Sequence, residues 1–172
     1  EYWAERGMET AIARFHNVYG PYGTWDGGRE KAPAAMCRKV IAAKDTGDTG
    51  IEIWGDGTQT RSFMYIDDCT KGIDMIAHCD ELIATPINLG SSELISINDL
   101  VGMVENIADT KLDRSYKLDA PVGVAGRNSD NTMIQNILKW EPNTSLADGM
   151  KKTYDWIAKQ YFDRKAGKRT IS

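Results

Sequence analysis

Histidine is nearly missing: His16 and His78 are the only two, and they lie far apart in the chain. A histidine-rich metal site is thereby disfavoured. Cysteine is scarce too. Cys37, Cys69 and Cys79 form an odd set with no Cys-x-x-Cys spacing, which reads as reduced, partly buried thiols in a cytoplasmic protein. No apolar run approaches the roughly 20 residues of a membrane span. The segment Glu1–Arg6 has no apolar signal core. Positive charge is not in excess: 21 Lys and Arg face 25 Asp and Glu, a net charge of -4. That balance argues against general binding of nucleic acid or an anionic membrane, while leaving room for a local basic pocket. Internal repeats and low-complexity segments are also missing. What remains is an ordinary globular composition, 41% hydrophobic and 27% charged over 172 residues. This length suits one compact domain or the larger part of one, burying about 70% of its unfolded surface.

Punctuation by Gly, Pro and capping residues divides the chain. Residues 10–16 read as a buried strand after a helix ending near Gly7. A Gly- and Pro-rich loop follows from Tyr19 to Gly28. Pro33 is acceptable only in a first helical turn, so a helix starts beside it and runs to about Ala43. Residues 51–54 and 61–66 are short strand candidates, and Gly55-Asp56-Gly57 between them suggests a hairpin. Asp67 or Asp68 can cap a helix reaching about His78, with Ile73, Ile76 and Ala77 as its apolar stripe. Residues 86–89 and 114–118 read as strands. Ser96-x-x-Asp99 opens an amphipathic helix, and Ser145-x-x-Asp148 opens another with Leu146, Met150, Tyr154 and Ile157 on one side. A short helix spans Asp130–Leu138, capped by Ser129 or Asp130. The basic end from Arg164 is expected to fray. Strands and helices mix without strict βαβ alternation, an α/β chain with an α+β look.

Several segments carry a more specific pattern. Arg14-Phe15-His16-Asn17-Val18-Tyr19-Gly20-Pro21 resembles the Arg-x-x-Asn-x-Tyr-Gly-Pro motif of extended short-chain dehydrogenase/reductases. In that pattern a strand delivers Asn17 to its C-terminal end, where ligands of open α/β sheets bind. Asn17 can equally cap an ordinary turn. The run Gly27-Gly28-Arg29-Glu30-Lys31-Ala32-Pro33 closely resembles the matching stretch of GDP-mannose 3,5-epimerases; by itself it could be a solvated charge cluster. Trp54 to Asp68 resembles a further family block. Within it Arg61 can meet a phosphate with its planar fork, or pair across the sheet with a carboxylate. Gly55 and Gly57 lack the third glycine and helix of a dinucleotide fingerprint. Asn88-Leu89-Gly90, Gly126-Arg127-Asn128-Ser129-Asp130 and Leu138-Lys139-Trp140-Glu141-Pro142 match later blocks, with Lys139 in place of the usual Gly.

The resemblance covers nearly the whole chain and has definite implications. It implies the C-terminal part of a Rossmann-type fold. Residues 1–18 would close the Rossmann-type domain, 19–163 would form the small sugar-nucleotide-binding domain, and 164–172 would be a basic tail. It implies an NAD-dependent enzyme, a homodimer, that oxidises C4 of GDP-mannose and inverts C3 and C5. Asn17, Glu30, Lys31, Ala32, Lys39, Gln59, Thr60, Arg61 and Arg127 would contact the nucleotide sugar. Arg61 and Arg127 would meet on its diphosphate. Lys31 would be the acid catalyst, best served by partial burial beside the helix N-terminus. The family's Gly-rich NAD loop and Tyr-x-x-x-Lys pair are expected upstream of Glu1, so the chain alone should neither bind NAD nor turn over. Two other readings stay open: a UDP-hexose 4-epimerase or sugar-nucleotide 4,6-dehydratase, and a non-catalytic nucleotide-sugar-binding module.

Overall fold

The computed structural model describes residues 5–121 and 123–171. Helix α1 (Ala32–Thr46) starts where Pro33 requires it, with Lys31 extended at the N-cap, and stops at Gly47, φ 76°. The capping boxes act as the sequence suggests. Ser96 and Asp99 exchange bonds at the head of α3 (Ile97–Ala108), and Ser145 and Asp148 do so at the head of α5 (Leu146–Lys165). The helix between Met64 and Cys79, α2 (Ile66–Ala77), begins earlier than expected, with Tyr65 at the N-cap. Asp67 and Asp68 lie inside its first turn, and the Asp68 carboxylate accepts the distant Thr144 N–H at 2.8 Å. Its buried stripe is Cys69, Gly72 and Ile76, while Ile73 is 43% exposed. The short helix α4 (Thr132–Leu138) has Asn131 at its N-cap position; Asp130 accepts the Thr132 N–H, and Ser129 makes no capping bond. Among the described residues no helix is long and apolar enough to cross a membrane.

The strands form small, mostly parallel sets. Strand β1 (Ile12–Phe15) pairs with β6 (Pro86–Leu89), and β2 (Val18–Tyr19) pairs with β5 (Met64–Tyr65). Strand β1 is not buried as expected: Ile12 and Phe15 are 43% and 52% exposed. The expected hairpin is also absent. Strand β3 (Gly50–Trp54) lies parallel to β8 (Asp113–Lys117), and Gly55 N–H donates onward to Lys117 O. Strand β4 (Thr60–Ser62) instead sits between β7 (Leu94–Ser96), antiparallel, and β9 (Gly126–Arg127), parallel. The Gly55-Asp56-Gly57 turn therefore passes the chain between sheets. Asn98 holds it from the side, its Nδ2 donating to Asp56 O at 3.0 Å.

Two apolar clusters result. The larger gathers Trp25, Val40, Ile53, Leu100, Met150 and Ile157 among α1, α3, α5 and β3. The smaller joins Met64, Ile76, Leu82, Ile87, Leu89 and Ile134. Close helix approach needs glycine twice. A Cβ at Gly149 of α5 would collide with the Tyr19 ring, and one at Gly72 of α2 would lie 2.5 Å from Leu89. Cys37 packs at zero exposure, where burial pushes its thiol pKa up. The expected fraying of the basic end is overturned. The Trp25 indole, 1% exposed, donates to Ile171 O at 2.6 Å, and the Ile171 N–H donates to Gln160 Oε1 at 3.0 Å. A buried indole N–H needs an acceptor, and the chain end supplies it.

Candidate functional site

A cleft of about 540 Å³ opens where the start of α1 meets β3, β4 and the turn after β1. Asn17, Glu30, Lys31, Ala32, Lys39, Gln59 and Arg61 all line it, together with Arg38, Glu52, Trp54, Phe63 and Pro121. Asn17 occupies the left-handed region at φ 36°, a conformation Asn tolerates. Its Nδ2 donates to Ser62 O at 3.0 Å and its carbonyl accepts Met64 N–H at 3.1 Å. The turn after β1 is thereby tied to the β4–β5 junction.

Charge in the cleft is organised. The Glu30 carboxylate accepts from Arg38 at 2.8 Å and from the Gly28 N–H at 2.7 Å. Burial alone would raise its pKa; the bonds from backbone N–H groups and Arg38 outweigh this and hold it below the usual value. Glu30 thus points to Arg38. Lys31 is exposed, contrary to the partial burial an acid role favours. Lys39 donates to Glu52 O at 2.7 Å, and burial lowers its pKa against the opposing pull of the Glu52 carboxylate. Glu52 also accepts from the Trp54 indole at 3.1 Å, and Gln59 Nε2 donates to Trp54 O at 2.9 Å. Trp54 is 50% exposed at the cleft, its indole held by Glu52 and its backbone by Gln59.

Thr60 and Arg127 lie outside the lining. Thr60 N–H bonds Ala125 O at 2.9 Å and so fixes β9 against β4. The β4–β9 register sets Arg61 directly beside Arg127. Arg61 Nη1 donates to Thr60 O at 2.7 Å. The Arg127 charge acts on His16, whose pKa is lowered first by burial and then by that guanidinium. Arg38, Glu52 and Trp54 were not anticipated. The signal for Arg38 was present: two acids, Asp26 and Glu30, stand just before a helix that carries one arginine two turns in.

A correction concerns Tyr-x-x-x-Lys. Tyr161 and Lys165 do have this spacing, on α5. Both bind Asp45, Tyr161 Oη at 3.1 Å and Lys165 Nζ at 2.6 Å from Oδ2. The Tyr161 pKa is raised by burial and by this bond, and that of Lys165 is raised by its bond to Asp45. The two residues hold Asp45, Lys165 by a salt bridge and Tyr161 by a hydrogen bond, and neither lines the cleft. The strand-to-helix connections among the described residues differ from a dinucleotide fingerprint. A dinucleotide cradle places a Gly-rich turn between a strand and a helix N-terminus. Here β5 runs into α2, and β7 into α3, with no glycine between, and the loop from β2 to α1 carries Gly20, Gly23, Gly27 and Gly28 without Gly-x-Gly-x-x-Gly spacing.

Residues 1–90 match the model of the NAD dependent epimerase/dehydratase family. The chain belongs to this family. Members resemble it over most of its length. A GDP-mannose 3,5-epimerase of Arabidopsis thaliana is 46% identical over 166 residues, 96% of this chain and 42% of the relative. GDP-mannose 3,5-epimerase 1 of Oryza sativa subsp. indica is 45% identical, over 92% of this chain and 40% of the relative. Among solved family structures, the UDP-glucuronic acid 4-epimerase of Bacillus cereus in complex with NAD gives a TM-score of 0.78 at 28% identity, over 98% of this chain and 49% of that one. The UDP-glucose 4-epimerase of Thermotoga maritima gives 0.82 at 24% identity, a likeness of fold, over 93% and 49%. The chain thus spans about 42% of the Arabidopsis relative and about half of these solved chains. The expected fold class stands: mixed α/β, resembling the C-terminal part of an extended Rossmann-type enzyme.

Proposed function

We propose that the cleft holds the nucleotide sugar of an epimerase, and that this sugar is GDP-mannose, undergoing 3,5-epimerisation. The observation that carries the reading is the meeting of Lys31, Lys39 and Arg61 with the N-terminus of α1 on one cleft. A helix N-terminus offers unpaired N–H groups and partial positive charge, and three cations add to it. The nearby acids are already engaged, Glu30 by Arg38 and Glu52 by Trp54. A diphosphate is the ligand group such a surface suits. The 46% identity to a GDP-mannose 3,5-epimerase supports the choice of sugar nucleotide. Arg127, next to Arg61 in the register, extends the cationic surface.

In this reading Arg61 and Lys39 bind the diphosphate, Asn17 lies beside the hexose, and Glu30 holds the approach to Lys31 in place. Lys31, at the mouth, gives its ammonium proton to C3 or C5 after that carbon has lost its own proton to a base on the opposite face. The family uses NAD for hydride chemistry; no hydride step is assigned to these residues, and the chain alone is inactive and does not bind NAD. The three cysteines are free, as a reducing compartment keeps them, and we place the protein in the cytoplasm.

Calorimetric titration of the chain tests this. GDP-mannose should bind more tightly than UDP-glucose, and NAD should give no heat. Tighter binding of UDP-glucose would favour the 4-epimerase reading. In a catalytically complete chain, Lys31→Met should reduce product formation while leaving substrate affinity largely intact. Wild-type product rates from that variant would exclude Lys31 as the acid.

A further inference from the structure

One connected line of side chains runs from the cleft to the end of the chain. It starts at the Glu30 carboxylate, whose side chain is 6% exposed and which Arg38 Nη2 meets at 2.8 Å. Nε of the same guanidinium lies 3.4 Å from Asp26 Oδ1, without hydrogen-bonding alignment. Asp26 Oδ2 in turn accepts from Arg164 Nη1 at 2.8 Å. The Arg164 guanidinium stands 4.2 Å from the Trp25 ring centroid, and the Trp25 indole donates to Ile171 O. Glu30 precedes Lys31, so whatever fixes Glu30 also fixes the backbone that presents Lys31 to the cleft.

We propose that Arg38 is a positioning residue that sets the Gly28–Lys31 approach to the cleft, and that the C-terminal turn around Arg164 and Ile171 anchors it from behind. The functional part of this rests on the nucleotide-sugar reading of the cleft. Arginine suits the position because its delocalised, planar charge lies beside two carboxylates at once, with Nη2 on Glu30 and Nε near Asp26, which a lysine point charge cannot match. The links are unequal. Arg38–Glu30 is charge-assisted and shielded on the Glu30 side, whereas Arg164 and Asp26 are 39% and 38% exposed and their pair is weak by itself. The Trp25 ring and its bond to Ile171 reinforce the second link. Loss of Arg38 therefore acts strongly, and loss of Arg164 weakly but in the same place.

The test uses the 172-residue chain. GDP-mannose affinity is measured by calorimetry, and amide hydrogen exchange is followed at residues 26–31. Arg38→Met should weaken binding roughly tenfold, the effect of one lost charge-assisted bond, and speed exchange across 26–31. Arg38→Lys should recover part of the lost affinity. Arg164→Ala, more than 100 residues away in sequence from the reporting segment, should speed exchange there while leaving the thermal midpoint within a few degrees. Arg38→Met binding as wild type overturns the proposal. So does a Lys variant no better than Met, since a packing role is indifferent to charge. So does unchanged exchange at 26–31 in Arg164→Ala, a variant whose surface position keeps it folded if Arg38→Met is not. Should wild-type chain fail to bind GDP-mannose, the reading of the cleft falls, while the exchange measurements still decide the coupling.

Discussion

Between α1, α3 and α5 the inward apolar side chains are sealed in, with Val40, Leu100, Val101, Val104 and Met150 at zero exposure, whereas β1 leaves Ile12 and Phe15 at 43% and 52% beside the buried Ile87 and Leu89 of β6. The cleft belongs to the closed region. Met36, Phe63 and Ile97 are members of the larger cluster and also line the cleft. A binding floor made of core residues has few alternative rotamers, so cations mounted on it are held in place before a ligand arrives. The open layer has no such duty, and its exposed apolar groups mark a surface suited to contact.

Truncation should separate the two regions most sharply. Leu100→Ala should cost about 2–5 kcal/mol of stability by urea unfolding, because a fully buried leucine leaves a cavity. A loss under about 1 kcal/mol would mean that the larger cluster is less well packed than it looks. Arg61→Ala should cost about 1.5–3 kcal/mol of GDP-mannose binding, the scale of a hydrogen bond to a charged group. Equal affinity in calorimetry would remove Arg61 from the site. A third effect depends on pH. Glu30 has a folded pKa below its ordinary 4.5. Its contribution is therefore present above pH 4.5 and is lost as pH falls through the lower folded value. Thermal melts in that acid window should show a smaller drop for Glu30→Gln than for wild type. The smallest effect belongs to the open layer. Ile12→Ser should change stability by no more than about 0.5 kcal/mol. It should also lower the fluorescence of a dye that binds apolar surface; an unchanged signal would show that Ile12 is not part of that surface.

Local chemistry made much of this legible. Pro33 marks a helix start by its fixed φ, Ser96 with Asp99 and Ser145 with Asp148 do so through bonds between near neighbours, and all three hold. Pro86–Leu89 is a strand as read. The failures share a cause. Gly55-Asp56-Gly57 has hairpin chemistry, but β3 finds its partner in Asp113–Lys117, a pairing no local pattern announces. The basic end looked frayed because its acceptors, Asp26 and Asp45, lie far away in sequence. In the cleft, the residues placed there by the Glu30-Lys31-Ala32 and Gln59–Arg61 segments came from contiguous motifs. Trp54 became visible only when β3 and α1 were set side by side, whereas Arg38 had its local signal in Asp26 and Glu30.

Gly149 and Gly72 limit which sequences this fold can drift through. Alanine in mid-helix is ordinarily more favourable than glycine by roughly 0.5–1 kcal/mol. At these two positions that gain is closed off. A methyl at Gly149 would strike the Tyr19 ring, and one at Gly72 would meet Leu89 and the Trp140 indole. Tyr19 belongs to the strand that leaves Asn17, and its hydroxyl donates to Leu146 O at 3.3 Å. A helix-strengthening substitution at Gly149 would therefore push α5 outward, away from the strand that carries the cleft's asparagine. Descendants of this chain can vary widely along the solvent face of α5, yet this one residue must stay the smallest available for as long as Tyr19 does.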